Sequence, residues 1–362
     1  MRPLFFCLSI SLLTLYARPV LAEGDPLLPI YAGETPSSVA SLIDHFRQTR
    51  RYRTEDFPME PEKFRAFQQD VLKTFISALG MQDWQVRNPV GKQSPIADLY
   101  RDRLLRRFTH EGVEMEAHII EILATGDKVP AVICLPAGDE VVPGVACYPG
   151  HGKNGLRDLV LDEQSYQRAI ATQLAKAGFA SIAVERLDSG YLARTPVATD
   201  ENAASGFRIG MGVPTRSVEL MADMAALEIL AAHPRVDETR LGATGVSLGG
   251  WLATQVGLLS DRVRAVAEFG TKTVFLSEET TAQGFEGIPD ACYIIPGTLA
   301  VGDRNMLMPP TRRARCSRAT VARPTANRMR NTRATTGRSS KRSMRPWGSR
   351  KITAITCMTA DT

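Results

Sequence analysis

The chain has 362 residues, 44% of them apolar and 23% charged, the composition of an ordinary folded protein with room for one large domain or two smaller ones. It contains no second long apolar run, no Gly-X-Y period and no heptad array, which excludes multi-span membrane, collagen-like and coiled-coil classes. The net charge of +5 hides a division: residues 304–362 hold 13 Arg and 2 Lys against one acid, Asp361, a local +14, while residues 1–303 sum to −9.

At the amino terminus Arg2 precedes an apolar run from Leu4 to Leu15, and Val20-Leu21-Ala22 ends in a small-residue cleavage pattern. This predicts a signal peptide over residues 1–22, cut after Ala22, because the run falls short of the ~20 residues needed to span a bilayer. A secreted or periplasmic location follows, with no membrane attachment after cleavage. Cys7 lies inside the apolar run, and the tail holds Cys316 and Cys357. The remaining Cys134, Cys147 and Cys292 are too few for a disulfide framework, although one disulfide is possible, and no Cys-x-x-Cys pair suggests a metal. Neither a metal nor a cofactor is expected.

Residues 36–80 read as helical and amphipathic: Phe64, Phe67, Val71 and Phe75 recur at helical spacing and Gly80 follows as a C-terminal stop. Residues 23–111 are therefore taken as an N-terminal helical segment. From 112 strands and helices alternate. Strands are expected at Met115–Leu123, Ala131–Leu135, Gly144–Tyr148, Phe179–Val184, Arg240–Thr244 and Val263–Phe269. Helices are expected at Gln164–Ala177, Ser217–Ala232 and Leu248–Leu258. Short apolar strands separated by helices predict an α/β domain over 112–303 with a doubly wound, mostly parallel sheet.

The segment Gly245-Val246-Ser247-Leu248-Gly249-Gly250 stands between a predicted strand and a predicted helix. Gly-x-Ser-x-Gly in that setting forms a nucleophile elbow. The glycines lack Cβ atoms, so strand and helix approach closely while the serine is held in a tight turn at a helix N-terminus that favours negative charge. The bland alternative is a serine that caps the helix.

Together with His233-Pro234-Arg235-Val236-Asp237 and Arg240-Leu241-Gly242, this elbow resembles the α/β-hydrolase superfamily, and within it the dienelactone-hydrolase and acetyl-xylan-esterase-like branches. The resemblance covers about residues 112–303. It implies Ser247 as nucleophile and an oxyanion hole made by the Leu248 backbone N–H with a second donor from Tyr148-Pro149-Gly150-His151-Gly152-Lys153, where His151 and Gly152 are the candidates. Two fixed N–H groups there would stabilise a tetrahedral oxyanion by several kcal/mol. His233 is placed at a structural helix end, and the polar connection from Asp188 to Pro214 at substrate-covering loops.

The same resemblance implies a chain order of Ser, then Asp or Glu, then His. The five histidines are His45, His110, His118, His151 and His233, and none follows Ser247. Glu268 is a weak candidate for the acid, whose identity stays open. After about Asp303 the rhythm of strands and helices stops and Arg, Thr, Ala, Ser and Pro dominate, so residues 304–362 are read as an Arg-rich, disordered tail produced by a frameshift. Reading across codon boundaries, Met358-Thr359 must give Asp and Trp347-Gly348 must give Gly. Permitted codons let residues 338–362 spell a helix, a strand and an Asp-Gly-Gly-His ending.

The expected function is a secreted serine hydrolase of carboxylic esters, acetylated carbohydrate among them, whose C-terminal end is incomplete in this chain and whose activity is severely impaired. A non-catalytic α/β-hydrolase-like binding protein is the alternative. A nucleic-acid partner for the basic tail is disfavoured, since Trp347 is its only aromatic residue.

Overall fold

The computed structural model describes residues 60–80, 99–123, 125–187, 201–270 and 294–298, with positions 45, 48, 49, 51, 190, 192 and 302. The signal peptide, Cys292, the Arg-rich tail and most of residues 36–59 lie outside the described residues. The chain divides into compact units at Met1–Ala319 and Thr320–Thr362, and all of the described residues belong to the first.

Helix α1 spans Pro61–Ala78 with Pro at its start, where a missing N–H costs nothing, and Gly80 takes φ +68° just past its end. Phe67, Val71 and Phe75 are buried, as their spacing predicts, and the Leu79 carbonyl accepts the Ser217 hydroxyl.

Seven strands form one sheet: β1 (Tyr100–His110), β2 (Val113–Ile122), β3 (Lys128–Leu135), β4 (Val142–Tyr148), β5 (Ala180–Val184), β6 (Val236–Val246) and β7 (Val263–Phe269). Their order is β1-β2-β3-β5-β4-β6-β7. The run β5-β4-β6-β7 is parallel, whereas β3 is antiparallel to both neighbours and β1 to β2. Helices α2 (Leu156–Val160), α3 (Ile170–Lys176), α4 (Glu201–Gly210), α5 (Thr215–Ala232) and α6 (Leu248–Leu259) connect the parallel strands.

Two apolar cores result. One joins α1, α5 and α6 to the sheet through Phe75, Ile120, Ile182, Leu227, Leu241 and Leu252. The other packs α2 and α3 against the opposite face through Met115, Cys134, Cys147, Leu159, Leu174 and Ala183. Strand β5 is buried at every position, which is why it reads as one apolar run. Cys134 and Cys147 are buried and free. They stand on the strands flanking β5, about 10 Å apart at the usual strand spacing and beyond disulfide reach.

Three expectations need correction. Residues 100–110 are not part of a helical segment: they form edge strand β1, turned into β2 by Glu111 and Gly112 at φ 49° and 77°, a two-residue hairpin with both φ positive. β1 carries four arginines and is exposed along most of its length, so no apolar period marks it.

The helix expected from Gln164 begins at Ile170, because Arg168 and Ala169 sit at φ 57° and 47° and the Ala169 N–H bonds to the Asp158 carbonyl at 3.0 Å. The connection before Pro214 contains a helix, α4, whose Ser205 hydroxyl accepts the Thr215 hydroxyl of α5 at 2.8 Å.

Candidate active site at the end of strand β6

Strand β6 ends at Val246 and α6 begins at Leu248, leaving Ser247 alone in the turn at φ 58°, ψ −121°. Such a conformation is costly for a residue with a Cβ and persists only where the surroundings enforce it. They do so through backbone: the Ser247 N–H donates to the Phe269 carbonyl at 2.7 Å, and the Trp251 N–H reaches the Ser247 carbonyl at 3.3 Å. Although Ser247 occupies the position before α6, its hydroxyl makes no capping bond to the helix. The residue is partly exposed, at the carboxyl end of the parallel strands.

Glycine is required on both sides of it. A Cβ on Gly245 would strike the Gly249 backbone and lie 2.7 Å from the Tyr148 carbonyl oxygen. One on Gly249 would overlap that same oxygen and come within 2.9 Å of the Pro149 carbonyl carbon. Gly250 is less tight, at 3.1 Å from the Gly245 carbonyl oxygen. The elbow is thus pressed against the end of β4, where Tyr148 pairs with Gly245.

The loop after β4 carries the residues expected to give the second oxyanion donor. At Gly150 a Cβ would overlap both the Tyr166 hydroxyl and the Val246 carbonyl oxygen, so the loop threads between the elbow and a tyrosine. The Gly150 N–H donates to Gln167 Oε1 at 2.9 Å. That amide is therefore committed, and His151 and Gly152 follow it, both partly exposed. Asp158 backs the loop: its Oδ1 accepts Asn154 Nδ2 at 3.0 Å, and Oδ2 would stand 2.7 Å from a Cβ on Gly152. At the foot of the loop Glu185 Oε1 accepts the Leu156 and Arg186 N–H groups, each at 3.0 Å, and its carboxyl leaves no room for a side chain at Gly155 or Gly190.

Beneath the elbow lies a group of buried charges. Arg216 Nη1 meets Glu219 Oε2 at 2.7 Å, and the guanidinium stacks over Trp251 at 5.0 Å. Asp223 is buried beside them, and burial, then the Glu219 charge, pushes its carboxyl well above the usual range despite Arg216. Its carbonyl accepts the hydroxyl of fully buried Tyr148 at 3.2 Å. Burial, then the Asp223 charge, pushes that phenol well up in turn. These groups fix Tyr148, and through it the floor of the elbow.

Glu268 on β7 is buried, with Oε2 2.8 Å from the Thr254 hydroxyl of α6. His233 caps the far end of α5, where its Nδ1 accepts the Arg235 N–H at 3.2 Å, at the opposite end of β6 from Ser247. Sequence reasoning missed Tyr166, Gln167 and Glu185. The first two lie in the stretch read as helix, and the available cue was Asp162 with Ser165, turn-forming residues whose side chains bond locally here. Among the described residues no cluster could hold a metal ion, and no helix is long and apolar enough to cross a membrane.

Residues 160–286, which include α5, the elbow and β7, match the model of the dienelactone hydrolase family. In structure the chain is similar to a Bacteroides fragilis protein assigned as an acetyl xylan esterase, at TM-score 0.59 and 17% identity over 76% of this chain and 73% of that one. The chain has the α/β-hydrolase fold. Two weaker likenesses are to acetyl xylan esterase 1 from Thermoanaerobacterium sp. JW/SL YS485 and to a glucuronoyl esterase from Solibacter usitatus. The first has TM-score 0.40 and 17% identity over 69% of this chain and 68% of that one. The second has TM-score 0.39 and 15% identity over 65% and 70%. No curated protein sequence matches the chain. In this chain the elbow is complete as backbone geometry, while the sequence holds no histidine beyond it.

Proposed function

We propose that this protein is an exported hydrolase of carboxylic esters, with acetylated carbohydrate as its substrate class. Ser247 is the nucleophile, and the N–H groups of Leu248 and of His151 or Gly152 receive the oxyanion. The observation that carries this reading is the backbone of Ser247 at φ 58°, ψ −121°, with Gly249 pressed on Tyr148. A serine kept in that conformation without capping its helix is held for its hydroxyl. The acetyl-xylan-esterase assignment of the Bacteroides protein supports the substrate class.

Attack on an ester needs a base to take the Oγ proton and an acid to orient that base. The chain supplies no imidazole after Ser247, and the frameshift reading of residues 304–362 accounts for its loss. Removing the base from a serine triad costs up to about a millionfold, leaving roughly 10³–10⁴ over water from binding and the oxyanion hole. The chain as written is therefore expected to hydrolyse p-nitrophenyl acetate slowly, at a rate that Ser247→Ala changes little, because a serine without its base contributes almost nothing. Hydrolysis at ordinary enzyme rates would refute the impairment. Ser247 is tested in a chain with an acid and a histidine restored after it: the regained hydrolysis should be lost in Ser247→Ala, hydrolysis that survives that change would refute the nucleophile, and none regained would leave a binding role. Sequencing the gene across codons 301–312 tests the frameshift directly: no downstream histidine codon in another register would end that reading.

A further inference from the structure

Along the β1–β2 edge of the sheet, a second set of titratable groups joins β1, β2 and the corner between α5 and β6. His118 of β2 is 6% exposed. Its Nδ1 lies 2.9 and 3.1 Å from the two carboxylate oxygens of Asp102 on β1, and its Nε2 is 3.5 Å from Glu116 Oε2. Glu116 accepts Arg107 Nε of β1 on its other oxygen at 2.7 Å, and His233 Nε2 stands 3.6 Å from Oε2. One buried carboxylate oxygen thus faces two imidazoles. His233 Nδ1 accepts the Arg235 N–H, so its Nε2 carries the proton and offers Glu116 a donor rather than a lone pair. The set is a chain of charges, hydrogen-bonded at Asp102 and at Arg107 and ion-paired across Glu116, and not a ligand set.

Strand β1 depends on these ties. It is exposed over most of its length, and only Tyr100 and Phe108 touch the cores. Besides ladder bonds, β1 is held by Arg107 opposite its register partner Glu116 and by Asp102 set diagonally to His118. We propose that β1 is fastened to the sheet by a proton-dependent latch, in which a charged His118 is gripped between Asp102 and Glu116. Deprotonated, His118 keeps a neutral N–H bond to Asp102 but loses the ionic part of the grip.

The surroundings set the direction. Burial opposes the charge on His118, but the hydrogen bond and charge of Asp102, then those of Glu116, outweigh it and raise its pKa above 6.5. His233 moves the other way: burial, helped by the positive charges of Arg235 and His118, lowers it against the pull of Glu116 and Glu114. Glu116 stays ionised because Arg107 and His233 overcome its burial. Glu114, paired to Arg235 at 3.2 Å, borders His233. Tyr100 borders Asp102, with Glu228 and Arg262 also near it, and is pushed up to about 12, first by burial and then by Glu228 and Asp102. The folded-state pKa of His118 exceeds its unfolded value, so its contribution is whole below 6.5 and disappears as pH rises through the folded value. His233 contributes in the opposite sense, above 6.5, and gives up its proton at lower pH than His118.

Trypsin tests the latch on the full chain, because β1 offers Arg101, Arg103, Arg106 and Arg107. Cleavage inside β1, followed by mass spectrometry and normalised to an unstructured peptide in the same buffer, should rise several-fold between pH 6 and 8.5. Hydrogen exchange in central strand β5 should stay unchanged over that range. Asp102→Asn should be cut quickly already at pH 6 with the pH dependence flattened, and an NMR titration of wild-type His118 should give a folded pKa above 6.5. Cleavage independent of pH, cleavage rising in step with β5 exchange, an unaltered profile in Asp102→Asn, or a His118 pKa below 6.5 would each overturn the proposal.

Discussion

Ser247, Gly249 and Gln167 divide the work of the candidate site, and each can be removed separately. Gly249→Ala places a methyl group inside the Tyr148 carbonyl, where both partners are backbone and neither can swing aside. Overpacking of this kind costs about 1–3 kcal/mol or more, so chemical denaturation should show a markedly lower midpoint, with Gly250→Ala much milder. Gln167→Ala leaves the buried Gly150 N–H without its acceptor, a loss of about 1–3 kcal/mol, read as a lower melting temperature. With this loop as oxyanion hole, the same change also slows the residual hydrolysis more than it weakens substrate binding. The glycines could be read from the chain because they stand in a fixed pattern around the serine. Gln167 could not, since its role depends on two left-handed residues, Arg168 and Ala169, in a stretch with good helical periodicity.

Among the elements, β4, β5, β7, α5 and α6 follow their apolar patterns to within a few residues; β4, β5, α5 and α6 are buried where those patterns are apolar, whereas β7 buries only Val266 and Glu268. Strand β1 escaped notice for the converse reason: an exposed, arginine-rich edge has no apolar side to declare it, and a Glu-Gly turn is a weaker signal than Asn-Gly. Gly112, at φ +77°, completes that turn. Gly112→Val should loosen the hairpin and raise trypsin cleavage in β1 at every pH, a uniform offset distinct from the pH-dependent change expected of the latch. At the other edge, β7 pairs only with β6 among the described residues. An uncovered edge there would promote self-association. Sedimentation should show oligomers or aggregates, and a monomer that unfolds cooperatively would count against an unfinished sheet.

For the whole molecule, the division of charge has a direct consequence. Removing residues 304–362 turns a net +5 into −9. The shortened chain should pass through a cation exchanger at pH 7 and bind an anion exchanger, the reverse of the full chain. Any affinity of the full chain for DNA should fall steeply with salt and vanish on truncation, as expected of non-specific phosphate contacts; affinity surviving truncation would place nucleic-acid binding in the folded part. The fold class was legible because strand and helix periodicities alternate over some 150 residues. A base for Ser247 was not, because no histidine follows it in the sequence, and the acid stayed open among several carboxylates, Glu268 among them.

Cys134 and Cys147 stand on the two strands that sandwich β5, and burial raises both thiols, Cys134 to about 12. Thiolate is the reactive form, so alkylating reagents have nothing to attack while the central strands remain together. Peptide-resolved labelling at these two positions would time the parting of the middle of the sheet, with both sulfurs becoming modifiable together if that region opens as a single unit.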